Sequence, residues 1–175
     1  KTSTNETATI SMTSASAKTF AGGGATYNCT LSNGGAGAIT ITGNNTFYGF
    51  GNTTQPVTFT LTASTTQTLT KKLGVKGTSG NLVTINSATS GTRATIAKSN
   101  DRISFGGDYL SITDIAFTPA PTTTGSYPTP YLWYGGSNST NGGNNTGIIF
   151  SAYGQLVIVI TSGSSNNFIV PSDWN

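Results

Sequence analysis

Three carboxylates, Asp101, Asp108 and Asp114, fall within fourteen positions, and Glu6 and Asp173 are the only other acidic residues among 175. The chain has no histidine and a single cysteine, Cys29. General acid–base catalysis, nucleophile activation and metal ligation draw mainly on His, Cys, Asp and Glu. Any such chemistry here must therefore run through the Asp101–Asp114 region. Two roles suit it: a carboxylate pair that cleaves a polysaccharide, or an oxygen-ligand set for calcium. The competing role is turn chemistry, in which each Asp bonds nearby backbone. Arg93 and Arg102 would then be surface partners worth only ~0–1 kcal/mol each. Spacings of seven and six residues put the three carboxylates on different faces or corners, not in one column. The expectation is a chain with no catalytic residue, no metal and no cofactor.

Two further groups suit contact instead of reaction. Tyr127, Tyr131, Trp133 and Tyr134 combine flat apolar rings with polar tips, which fits a glycan or partner contact, or a cap over the end of a stack. Leu156, Val157, Ile158, Val159 and Ile160 form a flat, uncharged strand, and an exposed edge of that kind pairs with another chain. The polar run Ser137–Gly147 (SNSTNGGNNTG) lacks the Asp of a calcium-binding repeat. Cys29 cannot form an internal disulfide and reads as a small buried hydrophobe.

The elements that would position these groups are strands. The chain holds 34 Thr, 20 Ser, 16 Asn and 23 Gly, and charged residues make up 7%. An ordinary soluble domain has roughly 25% charged residues. Helix formers are sparse, and no 3.6-residue apolar period survives the Gly and Thr. Strand patterns recur instead: Thr9–Met12, Ile39–Thr42, Val57–Thr62, Leu82–Ile85, Arg93–Ala97, Ile103–Phe105, Leu110–Phe117 and Gln155–Thr161. Gly/Asn/Ser punctuation separates them at 22–24, 33–37, 43–45, 49–54, 77–81 and 87–91.

Similar strand–turn units return about every twenty residues: ITIT near 40, FTLT near 60, VTIN near 84 and ISF near 104. Such a period predicts an all-β fold, a short parallel β-helix with a small C-terminal β extension. Val, Ile, Leu and Phe would stack inward in columns, Thr and Ser would face out, and Gly and Asn would turn the corners. Strand spacings of eight to twelve residues also suit an antiparallel β-sandwich, which stands as the alternative. The chain divides into a lead-in strand (1–18), coils (19–118), a Pro-rich loop and aromatic cap (119–150), and a C-terminal strand that begins a following segment (151–175).

The net charge of +3 rests on eight scattered cations. A nucleic-acid footprint needs a dense basic stripe, so no nucleic-acid partner is expected. The longest apolar run, Leu156–Ile160, is far short of the ~20 residues of a membrane helix, so no membrane insertion is expected. The first residue is Lys, and no apolar signal region precedes it, which reads as a processed product or a piece of something longer.

Four stretches carry a resemblance: LGVKGTSGNLVTINSATSGTRATI (73–96), DYLSITDIAF (108–117), WYGGSNSTNGGNNTGIIF (133–150) and FIVPSDWN (168–175). They resemble the right-handed β-helix segments of phage virion-fibre and bacterial surface proteins, over roughly residues 73–150 with 168–175 as a short tag. Gly135, Asn141 and Ile148 stand where that pattern commonly has Ala, Asp and Trp. The resemblance implies right-handed coils, a structural or adhesive role at the virion surface or outside the cell, and a homo-oligomer or filament. It brings no catalytic residue with it. A polysaccharide depolymerase, and a capsid- or pilus-type subunit, are the alternative functions.

Overall fold

The computed structural model describes residues 8–99, 105–119 and 133–151. Among them there is no helix, and fourteen strands follow one another. The first nine are β1 (Thr9–Met12), β2 (Lys18–Ala21), β3 (Thr26–Asn33), β4 (Ile39–Thr42), β5 (Asn45–Asn52), β6 (Val57–Leu61), β7 (Thr66–Gly74), β8 (Val83–Ser87) and β9 (Ala94–Lys98). Then come β10 (Phe105–Gly106), β11 (Leu110–Thr113), β12 (Ile115–Thr118), β13 (Trp133–Tyr134) and β14 (Thr140–Asn141).

The chain alternates between two six-stranded sheets. Sheet A runs β1-β3-β5-β7-β9-β12, and sheet B runs β2-β4-β6-β8-β11-β14. Every pair of named strands is parallel. This pairing rules out the antiparallel sandwich. Each strand lies beside the one from the previous pass of the chain, so the sheets grow together, layer on layer. A third set of parallel pairings lies outside these two sheets: β10 pairs with β13, Lys76 bridges to Asp108, and Tyr134 bridges to Ile149.

Alternation sets which side chains enter the space between the sheets. In β4, β6, β8 and β11 the aliphatic and aromatic positions are buried, while the Thr, Ser and Asn between them are half-exposed. Register then stacks like on like. Ile39 lies beside Phe59, Phe59 beside Ile85, and Ile85 beside Ile112. In sheet A, Ile10, Leu31, Phe50 and Leu73 form one column. Phe20, Tyr27, Phe47, Phe50 and Phe59 form one aromatic cluster, with Tyr27 stacked on Phe47 at 5.3 Å and Phe50 on Phe59 at 5.5 Å.

The expected period holds for three of its four units, because Ile39–Thr42, Val57–Leu61 and Val83–Ser87 are successive strands of sheet B. The fourth strand in that series is Leu110–Thr113, not the segment near 104. The spacing stretches because stacking fixes register while corners take any length. Between β8 and β9 the corner is six exposed residues, 88–93, whereas one residue, Asp114, separates β11 from β12. The stretch expected as a single strand, Leu110–Phe117, is thus two strands in different sheets. Asp114 adopts φ of +58°, a left-handed conformation that breaks the strand. Asp and Asn tolerate that region better than other residues with a side chain.

The punctuation expected at 49–54 lies partly inside β5. There the pairing of β5 with β7 shifts register between Phe47 and Gly49. A Cβ on Gly49 would stand 2.5 Å from the Lys72 carbonyl oxygen, so the glycine reflects close backbone approach instead of a turn.

Candidate functional site

Asp108 and Asp114 flank β11, one at each corner, which agrees with their expected separation on different corners. Asp101 lies outside the described residues. At the first corner, Asp108 Oδ1 accepts from the Tyr109 N–H at 2.9 Å and from the Asn138 N–H at 3.1 Å. Its Oδ2 accepts from Asn138 Nδ2 at 2.9 Å. Burial alone would raise this carboxyl. The side-chain and backbone bonds from Asn138, the Tyr109 N–H and the Lys76 charge outweigh it, and hold it below its ordinary 3.8.

At the second corner, Asp114 is 5% exposed. Its Oδ2 accepts from the Gly91 N–H at 3.1 Å, and its Oδ1 from Asn144 Nδ2 at 2.6 Å. Asn144 itself has φ of +52°, so one left-handed corner sits directly on another. Arg93 donates from Nε to the Asn144 carbonyl at 2.8 Å, bonding the same corner through backbone.

The polar run Ser137–Gly147, which reads as a turn in the sequence, builds the last described layer. Thr140 and Asn141 pair with Ser111 and Ile112. Thr146 bridges to Ala116. Asn145 donates to the Ile112 carbonyl at 2.7 Å and accepts from the Ile115 N–H at 3.0 Å. Ser139 accepts from the Leu110 N–H at 2.7 Å and donates to the Gly135 carbonyl. Asp108 thus accepts from Asn138 of the next layer, and Asp114 from Gly91 of the preceding layer and Asn144 of the next. The two carboxylates act as fasteners between layers.

A cleft of about 290 Å³ opens beside Asp108, lined by Leu73, Gly74, Val75, Lys76, Gly106 and Gly107. Among its described lining residues Asp108 is the one carboxylate, whereas glycoside cleavage takes two flanking the bond. Among the described residues no three of Asp, Glu, Cys or His come together as metal ligands would.

The aromatic group divides. Tyr127 and Tyr131 lie outside the described residues. Trp133 is fully buried and Tyr134 is 5% exposed. The Trp133 ring packs on Phe117 at 5.1 Å, its indole N–H reaches the Thr118 carbonyl at 3.2 Å, and the Lys98 ammonium stands 5.3 Å from its centre. Both side chains are buried in the structure. Leu156, Val157, Ile158, Val159 and Ile160 fall outside the described residues. Cys29 is half-buried, and burial raises its thiol above the usual value against a smaller lowering by a backbone hydrogen bond at Ile10.

What sequence reasoning missed is the amide set inside the corners. Asn45 and Gln67 are 1% and 0% exposed, and Asn45 Nδ2 donates to Gln67 Oε1 at 3.0 Å. Gln67 Nε2 donates to the Gly43 carbonyl at 2.7 Å, and Asn45 Oδ1 accepts from the Gly24 N–H at 3.2 Å. Asn33, also fully buried, donates to the Gly37 and Thr58 carbonyls at 3.0 and 3.2 Å. The signal in the sequence was an Asn or Gln near the end of a β-branched run, and its partner lies about one layer away.

Comparison of the chain with protein-family models, with curated proteins and with solved structures gives no match.

Proposed function

We propose that this chain is a non-enzymatic structural module of an extracellular fibre, built as a right-handed parallel β-helix. The observation that carries this reading is the strict alternation of the chain between two parallel sheets, with aliphatic columns kept in register from layer to layer. Parallel stacking satisfies backbone hydrogen bonds internally and buries side chains continuously along one axis, which makes a stiff rod. The resemblance of residues 73–150 to virion-fibre and surface-protein segments supplies the setting: a virion surface or the cell exterior, with copies of the chain as partners. Tyr127 and Tyr131 are the candidate glycan contacts, and Leu156–Ile160 is the candidate strand for association between copies.

The two described carboxylates support the non-enzymatic reading, since both are engaged in fastening layers. The test combines mass measurement in solution with an assay for new reducing ends on capsular and cell-wall polysaccharides. An oligomer that leaves every glycan intact is the expected result. Cleavage by the wild-type chain that is lost in a D101N/D108N/D114N variant still folded by circular dichroism would establish the depolymerase instead.

A further inference from the structure

The outer face of sheet B is a grid of hydroxyls interrupted by one amide, Asn86. One column runs Thr19, Thr40, Thr60, Asn86 and Thr113. A second runs Thr58, Thr84, Ser111 and Thr140. The pairs β2–β4, β4–β6, β6–β8 and β8–β11 carry no register shift, unlike β3–β5 and β5–β7 in sheet A. The grid is therefore regular in two directions. Parallel strands set ~4.8 Å between rows, and alternate residues along a strand set ~6.7 Å between columns. The positions named carry no charge and no aromatic ring. Among the described residues the hydroxyls of Thr19, Thr40, Thr58 and Thr84 have no hydrogen bond to protein, and Thr60 bonds only along its own column, to Asn86 at 3.0 Å.

We propose that this face binds ice, its ligand being the ordered water of a crystal surface. Three physical features point to that occupant. The two repeats approach those of oxygen atoms on prism faces of ice, so many weak contacts fall into step at once. Threonine is stiff about χ1, and its methyl group limits where water can sit, so a stacked array holds a pre-ordered water layer at small entropic cost. Strongly hydrated ammonium groups, which would hold water in a liquid arrangement, are missing from the grid positions. A crystalline polysaccharide is the competing lattice, but sugar faces are usually met by aromatic rings, and the grid positions carry none.

The test freezes a solution of the whole chain slowly and measures its share in the ice and the shape of the growing crystals. The wild-type chain is expected to enter the ice and to shape it. T58K and T84K, on the grid, are expected to be excluded like an inert control, while T68K on the outer face of sheet A behaves as wild type. Circular dichroism and melting check that all three fold. Exclusion of the wild-type chain from ice overturns the proposal. So does equal uptake of the grid variants, or retention on microcrystalline chitin or cellulose without uptake into ice.

Discussion

At Asp114 a single left-handed backbone residue stands where one strand ends and the next begins. Asp114 holds a left-handed conformation that an ordinary side chain enters at a cost of roughly 1–2 kcal/mol, and its two acceptor bonds each contribute about as much. Asp114→Ala is expected to lower the free energy of unfolding by about 2–4 kcal/mol, read from urea titration. Asp108 gives a pH dependence. Its carboxyl titrates lower in the folded chain than in the unfolded chain, where the ordinary value is 3.8. The unfolded state therefore binds its proton first as pH falls. The stabilisation is complete above the ordinary value, and fades as pH drops through the lowered folded value. Asp108→Asn is expected to remove that acid-dependent part of the melting curve between pH 5 and the low end of the carboxylate range, roughly pH 2.

At the scale of elements, interior and corner amides follow different rules. Phe59 is fully buried in the middle of a column, and Phe59→Ala is expected to cost about 3–5 kcal/mol. Thr60→Ala beside it, half-exposed, is expected to change stability by no more than about 0.5 kcal/mol. The Asn45–Gln67 pair gives a sharper comparison. Asn45→Ala leaves Gln67 with one partner fewer in a buried site, at about 1–3 kcal/mol. In a double-mutant cycle with Gln67→Leu the two losses are expected to be less than additive. The strands were legible where β-branched residues alternate, as in Thr9–Met12 and Ile39–Thr42, which match the observed bounds. The corners were not. Asp114 reads as one more polar residue in a strand pattern, because its conformation is set by Gly91 and Asn144, positions far off in the chain and adjacent only after stacking. For the same reason the run Ser137–Gly147 reads as a turn, although its amides complete a layer.

For the whole molecule, stability is expected to grade along the stack. Layers in the middle have neighbours on both sides, whereas among the described residues β1 and β2 pair on one side only. Hydrogen exchange is expected to be slowest in β4 to β9 and faster in β1, β2 and β14, in the manner of a chain of linked units. Uniform protection across all strands would show that the layers open together. Few charges are buried: among the described residues only Lys98, whose ammonium sits by the Trp133 ring, and Asp114, whose carboxylate accepts from Gly91 and Asn144. The unequal corners carry a practical corollary. Residues 88–93 are exposed and span a step that Asp114 spans alone, but within them Gly91 and Arg93 hold Asp114 and Asn144. A foreign peptide grafted between Thr89 and Gly91 would be displayed on a rigid mount, provided that Gly91 and Arg93 are kept.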